Sequence, residues 1–115
     1  MTIKQGDILW INLNPAKGSE IKKTRPCVVI SNQNYNHFFN TAVVLPISSS
    51  AKYHNDPKYA NSPFFESVNL ANVQGTILLQ HLRAVNINAR SNGEVIGHLP
   101  TQKTQSIMAR VTQFF

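Results

Sequence analysis

The sequence of 115 residues is poor in cysteine, in acidic residues and in long apolar stretches. Its single cysteine, Cys27, can neither form a disulfide bond within the chain nor complete a paired-cysteine motif. The longest apolar run, residues 42–47, is far shorter than the roughly 20 residues that a membrane-spanning helix needs. The first residues contain no apolar segment typical of a signal peptide. We therefore expect a cytoplasmic protein that does not contact a membrane.

Several motifs are also missing, and each absence excludes a class of enzyme. No pair of His or Cys residues has zinc-finger spacing, and five scattered acidic residues do not form a two-metal nuclease site. The sequence has no Walker loop, no dinucleotide-binding glycine motif and no nucleophile elbow of a serine hydrolase. We therefore expect no bound metal and no cofactor.

Positive charge is what the sequence has in excess. Eleven Lys and Arg residues against five Asp and Glu residues give a net charge of +6, which favours an anionic partner such as nucleic acid. Four of these cations, Lys17, Lys22, Lys23 and Arg25, fall within nine residues between two strand-like stretches. A basic loop that contains glycine and is held between rigid elements is well suited to binding phosphate.

The hydrophobic pattern predicts a mainly β fold. Strands are expected at residues 8–13, 27–31, 41–47, 64–70 and 75–85, the last being one long strand or a bent pair. Residues 31–36 predict a polar turn, and residues 48–63 form a polar loop long enough to be functional. A helix is predicted only at the C-terminus, where an apolar stripe has helical spacing: Ile107, Met108, Val111, Phe114 and Phe115.

This order of elements predicts one domain over residues 1–115, built as a small β-barrel with a C-terminal α-helix. Phe114 and Phe115 are too apolar to be left in water on so small a domain, so we also expect a homodimer. The stripe could pack against the barrel or against the second subunit, and the sequence leaves both possibilities open.

Two sequence blocks resemble the opening of the MazF/PemK family of toxin endoribonucleases from type II toxin–antitoxin systems. They are GDILWINLNPAKGSE at residues 6–20 and TRPCVVIS at residues 24–31, and Asn36, Pro46-Ile47-Ser48 and residues 75–83 follow in the family's order. The resemblance implies an SH3-like, CcdB/PemK-type barrel. It implies a growth-inhibiting enzyme that cleaves single-stranded mRNA sequence-selectively and without a metal, and that is neutralised by a cognate acidic antitoxin.

The same resemblance implies catalytic roles for Glu20, Arg25 and Ser48. In the implied reaction the ribose 2′-OH attacks the adjacent phosphorus, which leaves a 2′,3′-cyclic phosphate and a 5′-OH. The planar fork of Arg25 would bind two phosphoryl oxygens, Ser48 would donate a hydrogen bond, and Glu20 would accept a proton. Residues expected to contact RNA lie in the basic loop or at the strand ends that follow it: Lys17, Ser19, Lys22, Lys23, Ser49, Gln80, His81 and Arg83.

Taken singly, these catalytic candidates have simpler interpretations. An arginine before a proline is often a solvated charge at a strand edge, a serine after a strand often forms a turn, and Glu20 could pair with a neighbouring lysine. The joint order of Gly18-Ser19-Glu20, Arg25-Pro26 and Pro46-Ile47-Ser48 is what favours catalysis.

The sequence departs from the family pattern late in the chain. Many members have an Asp-Gln pair where this chain has Gln80 and His81, and Asn86 stands in place of a later family Asp. If residues 80 and 81 lie on a regular strand, they face opposite sides and His81 is catalytically silent. If the strand bends, His81 could protonate the 5′-oxygen.

Two other functions remain open at this point. A CcdB-type poison has the same class of barrel but binds DNA gyrase and does no chemistry. A nucleic-acid-binding barrel with a decayed catalytic set would also fit the changes at Gln80 and His81. The set of Glu20, Arg25 and Ser48 favours the nuclease.

Overall fold

The computed structural model describes residues 3–14 and 23–115. The strands of this part are β1 (Asp7–Asn12), β2 (Thr24–Val29), β3 (Ala42–Ser48), β4 (Phe65–Leu70), β5 (Val73–Leu78), β6 (Arg83–Val85) and β7 (Val95–His98). The helices are α1 (Gln33–Phe39), α2 (Lys52–Asn55), α3 (Pro57–Ala60), α4 (Ile87–Arg90) and α5 (Thr101–Val111). Short 3₁₀ turns cover Leu79–His81 and Thr112–Phe114.

All strand pairs in the described sheet are antiparallel, and the strand order is β4-β5-β3-β2-β1-β7. Strand β6 lies off this path and pairs with β3. β3 therefore meets β6 at its beginning, where Ala42 lies opposite Val85, and β5 at its end, where Ser48 lies opposite Thr76. The 3₁₀ turn Leu79–His81 joins these two partners of β3, so the region predicted as one long strand or a bent pair is a bent pair.

Side chains on the two faces of the sheet fill two separate cores. Successive residues of a strand point to opposite faces, so Val28 enters one core and Val29 enters the other. The first core lies under α5, and its buried members are Ile8, Val28, Ile30, Leu45, Ile47, Val68, Val73, Ile77, Leu79, Leu99, Ile107 and Val111. The second core lies under α4, and its members are Ile3, Leu9, Ile11, Leu13, Cys27, Val29, Ala42, Val44, Val85 and Ile87.

The predicted apolar stripe is confirmed, because it lies on the C-terminal helix α5. Most of the stripe packs against the barrel of the same chain. Ile107 and Val111 are buried in the first core, so this part of the stripe meets the barrel of its own chain. The helix also contacts β4 through charge, because Arg110 and Lys103 both pair with Glu66. Beyond the helix, Phe115 is 93% exposed.

The prediction that helix occurs only at the C-terminus was wrong. The expected turn at residues 31–36 instead opens α1, where the side chain of Asn32 accepts a hydrogen bond from the Tyr35 amide at 3.0 Å. The expected loop at residues 48–63 contains α2 and α3, and the side chain of Asp56 caps α3. None of these three helices contains a buried residue, so none has the apolar stripe that reveals a helix in a sequence.

Among the described residues, α5 is the longest helix with 11 residues, and no helix combines the length and apolar character needed to cross a membrane.

Candidate active site

Three polar residues form a row across neighbouring strands. Ser48 on β3 lies opposite Thr76 on β5, and Cys27 on β2 lies opposite Pro46 on β3. The observed pairing of β2 with β3 ends at Cys27 and Pro46, and Arg25 lies two residues before Cys27 on β2, with its side chain on the same face as Cys27. Residues directly opposite each other share a face, with Cβ atoms about 4.5–5.5 Å apart. Ser48 and Thr76 are therefore neighbours, and Arg25 faces the same side of the sheet; these three residues are called the Arg25 row below.

The row lies at the edge of the second core, because Arg25 has the same facing as Cys27 and Val29. Ser48 and Thr76 are buried, with 5% and 2% of their surfaces exposed, whereas Arg25 is half-buried at the outer end of β2. The row thus runs from a partly accessible cation to two enclosed hydroxyl groups.

Gly75 allows β5 to approach Ser48 closely. Its φ is +156°, and a Cβ atom at this position would lie 2.3 Å from the Ser48 carbonyl oxygen. No side chain fits there without displacing the backbone, so glycine is required for β5 to pass the end of β3 at this distance.

The Ser48 hydroxyl is oriented by its own turn. Its Oγ accepts a hydrogen bond from the Ser50 amide at 3.2 Å. A serine hydroxyl can donate one hydrogen bond while it accepts others, so this contact leaves the hydroxyl hydrogen for another acceptor. A phosphoryl oxygen held by Arg25 would be such an acceptor.

Two guanidinium groups surround Cys27. Burial raises the pKa of the Cys27 thiol from 9.0 to about 12, while the positive charges of Arg83 and Arg25 act in the opposite direction. The thiol also donates to the Arg25 carbonyl oxygen at a distance of 3.5 Å. Cys27 is thus a protonated core residue rather than a nucleophile, and positive charge gathers at this end of the sheet.

The described ends of the basic loop are held by backbone contacts and by two arginines. The Leu13 amide donates to the Lys23 carbonyl oxygen at 3.0 Å. Arg83 donates to the Leu13 carbonyl oxygen at 3.0 Å, and Arg90 donates to the Asn12 carbonyl oxygen at 3.0 Å. Lys23 is exposed and has a positive φ of 72°. The other predicted loop residues, Lys17, Ser19, Glu20 and Lys22, lie outside the described residues.

Of the two alternatives left open for Gln80 and His81, the structure shows the bend and not the regular strand. Both belong to the 3₁₀ turn that follows β5, where Gln80 is exposed and His81 is half-buried. The two-sided geometry of a strand therefore does not decide which of them faces a ligand. Asn86, at the later departure from the family pattern, caps α4 by accepting from the Ala89 amide at 3.2 Å.

Two residues near the site were not among the predicted site residues: Thr76 and His54. The Nε2 atom of His54 on α2 lies 3.5 Å from Oγ1 of Thr76, which places the imidazole next to the Arg25 row. A threonine in a strand and a histidine in a polar loop carry no distinctive pattern. The only sequence signal was the unusual length of the loop at residues 48–63.

Aromatic packing holds His54 in place. The rings of Tyr53 and Tyr59 lie 5.0 Å apart between centroids, and they lie 5.3 and 5.1 Å from the ring of Phe65 on β4. This cluster attaches residues 52–60, called the α2–α3 segment below, to the sheet.

A cavity of about 490 Å³ opens between the α2–α3 segment and strands β4 and β5, and both His54 and Thr76 line it. A larger cavity of about 580 Å³ lies near α1, and half of the residues that line it have amide side chains. It contains no residue of the Arg25 row, so the smaller cavity is the one relevant to this site. Within residues 3–14 and 23–115, no cluster of three or more His, Cys, Asp or Glu side chains could hold a metal ion.

The curled antiparallel sheet, the C-terminal helix and the cationic row at the strand ends define a small barrel of the CcdB/PemK type. The chain belongs to the family of PemK-like, MazF-like toxins of type II toxin–antitoxin systems, whose sequence profile matches residues 4–115.

Individual relatives match over shorter segments. The chain is 41% identical over 49 residues to endoribonuclease EndoA of Bacillus subtilis and 36% identical over 47 residues to endoribonuclease toxin MazF of Escherichia coli K12. These segments cover 43% and 41% of this chain, and the chain spans only 42% of the length of each relative.

Solved structures match over nearly the whole chain. MazF from Deinococcus radiodurans superposes with a TM-score of 0.82 at 23% identity, over 99% of this chain and 96% of that one. A MazE–MazF structure from the same organism gives a TM-score of 0.76 at 23% identity, with the same coverage of both chains. Because the sequence identity is only 23%, these superpositions establish the fold alone.

Proposed function

We propose that this protein is an endoribonuclease toxin that cleaves single-stranded RNA, including mRNA, sequence-selectively and without a metal. The observation that carries the proposal is the Arg25 row, in which a cation and two hydroxyl groups from three strands face the same side of the sheet. The relatives named endoribonuclease support this activity. A binding poison of the CcdB type would have no need for paired donors to a phosphoryl group.

The proposed reaction uses the RNA itself as the nucleophile. The 2′-OH attacks the adjacent phosphorus, so no metal-activated water is needed, and the products carry 2′,3′-cyclic phosphate and 5′-OH ends. Arg25 stabilises the charge of the phosphorane with two parallel hydrogen bonds, and Ser48 adds a third. Glu20, carried over from the family motif, accepts the proton of the 2′-OH.

RNA binding is proposed to extend from this centre over the surrounding basic surface. Ser49 is exposed next to Ser48, and Arg83 both supports the base of the basic loop and adds positive charge near Arg25. Such charge attracts the phosphate backbone without regard to sequence. The full proposed set is Lys17, Ser19, Lys22, Lys23, Ser49, Gln80, His81 and Arg83.

We propose two protein partners. Structures that contain both MazE and MazF support a cognate antitoxin, and the net charge of +6 favours an acidic segment of that antitoxin on the basic surface. The second partner is another copy of this chain, because exposed Phe114 and Phe115 continue the apolar stripe beyond the buried part of α5. We place the toxin in the cytoplasm, where its RNA substrate is.

The decisive experiment is incubation of the pure protein with a long RNA in EDTA, followed by analysis of the fragment ends. We expect cleavage at a limited set of sites, with cyclic phosphate on one side and 5′-OH on the other. Arg25→Lys is the matched variant, since it keeps the charge but loses the planar fork. A strict requirement for Mg²⁺ would overturn the mechanism, and gyrase inhibition without RNA cleavage would favour the CcdB-type alternative.

A further inference from the structure

The proposed reaction leaves one proton unassigned. When the bond between phosphorus and the 5′-oxygen breaks, that oxygen needs a proton, and a guanidinium group is a poor donor because arginine is effectively always protonated. We propose that His54 is the catalytic acid that protonates the 5′-oxygen. This inference rests on the proposed ribonuclease function and adds a residue that no family motif provides.

His54 is located where such an acid is needed. Its Nε2 atom is 3.5 Å from Oγ1 of Thr76, and Thr76 lies directly opposite Ser48. A phosphate bound by Arg25 and Ser48 would therefore have the imidazole on its Thr76 side. The contact is at the long limit of a hydrogen bond, and the His54 side chain is exposed, so a substrate oxygen can replace Thr76 as its partner.

The attachment of α2 restricts how far His54 can move. Tyr53, its neighbour in sequence, stacks on Phe65 of β4 with an interplanar angle of 26°. Tyr59 packs edge-on against the same ring at 78°, so the α2–α3 segment is fixed from both of its helices. Such support from packed aromatic rings is what keeps a proton donor at a constant distance from the reacting bond.

The charged groups around His54 have partners of their own. Glu66 and Arg110 line the same cavity, and they pair with each other. On the α2–α3 segment, the Lys52 ammonium lies 4.9 Å from the centre of the Tyr53 ring, and Asp56 accepts a hydrogen bond from the Lys58 amide. Among the described residues that line this cavity, His54 is therefore the one whose side chain is best suited to donate a proton to a leaving group.

The proton balance of the step is closed. The 2′-oxygen loses its proton to the Glu20 carboxylate and forms a bond to phosphorus. The bond from phosphorus to the 5′-oxygen breaks, and that oxygen takes the proton from Nε2 of the His54 imidazolium. Glu20 ends protonated and His54 ends neutral, and exchange with water restores both groups. No metal, oxidant or second reactant takes part.

The first test compares two single substitutions of histidine by glutamine. His54→Gln should lower the cleavage rate by about 10²-fold or more, the usual contribution of a catalytic acid. His37→Gln is the matched control, because His37 is an exposed histidine on α1 that lines the other cavity. It should cleave at the wild-type rate, and thermal melting should show that both variants are folded.

The second test separates an acid from a residue that only binds or positions RNA. An oligonucleotide with sulfur in place of the 5′-bridging oxygen at a mapped cleavage site has a thiolate leaving group, which needs no proton. His54→Gln should cleave this substrate within about tenfold of the wild-type rate, because the defect then costs much less than the 10²-fold expected on oxygen.

Each result has a defined meaning. Wild-type activity of His54→Gln on normal RNA overturns the inference, and so does an equal loss on the oxygen and sulfur substrates. In both cases cleavage by the wild-type protein in EDTA would leave the proposed function standing. Absence of cleavage by the wild-type protein on either substrate would overturn the proposed function together with this inference.

Discussion

Substitution of Gly75 by alanine tests whether close packing of β5 against β3 builds the site. The new Cβ atom would lie 2.3 Å from the Ser48 carbonyl oxygen, so the strands must separate by about 0.7 Å to restore the 3.0 Å that real Cβ contacts respect. The φ of +156° adds backbone strain of about 1–3 kcal/mol for a residue other than glycine. With about 1–3 kcal/mol for overpacking, we expect a loss of about 2–6 kcal/mol in the free energy of unfolding.

The assay is urea denaturation of Gly75→Ala beside Gly97→Ala. A Cβ atom on Gly97 would make only ordinary contacts of 3.7 and 3.8 Å, so this variant should stay within about 0.5 kcal/mol of the wild type. At roughly 4 °C per kcal/mol, Gly75→Ala should melt about 8–24 °C below Gly97→Ala in a thermal scan. RNA cleavage should fall as well, because separation of β5 from β3 moves Thr76 away from Ser48. Equal stability of the two variants would refute the packing argument.

The remaining predictions concern the row, the thiol and the subunit contact. Arg25→Ala should lower single-turnover cleavage by about 10²–10³-fold, and Ser48→Ala by only about five- to tenfold, since it removes one neutral hydrogen bond; the reverse order would contradict the assigned roles. Because burial raises the Cys27 pKa from 9.0 to about 12, its contribution to stability is complete below pH 9 and is lost as pH rises toward 12. Urea titrations of Cys27→Ala should lack that alkaline decline, and an unchanged decline would assign it to other groups. Sedimentation at micromolar concentration should show a dimer, and a clean monomer would remove the proposed role of Phe114 and Phe115.

The elements that could be predicted from the sequence are those with a one-sided or fully buried apolar pattern. β1, β3, β4 and α5 were expected close to their observed bounds, because their side chains fill the two cores, whereas β2 was expected at residues 27–31 and covers Thr24–Val29. Helix α1 could not be predicted, since it depends on the Asn32 cap and buries none of its own residues. Local capping leaves a much weaker trace in a sequence than burial does.

The candidate site likewise contains residues that could be predicted from the sequence and residues that could not. Arg25 and Ser48 could be predicted because they belong to ordered motifs, although their proximity follows from the pairing of β2 with β3 across 23 positions. His54 and Thr76 could not be predicted, because their contact depends on the packing of Tyr53 and Tyr59 on Phe65. Contacts that depend on tertiary packing have no signature within a short stretch of sequence.

The attachment of the α2–α3 segment has a consequence for how substrate preference can change. The segment is anchored by ring contacts to one strand, and none of its residues contributes to either core. Outer residues of the segment can therefore be replaced, and the segment can be lengthened or shortened, at little cost to the free energy of folding. Strands β2 and β3 keep Arg25 and Ser48 in place. Under the proposed function, recognition of a new RNA sequence would arise by changing these outer residues, while His54 on α2 and Arg25 and Ser48 on the strands are retained for cleavage.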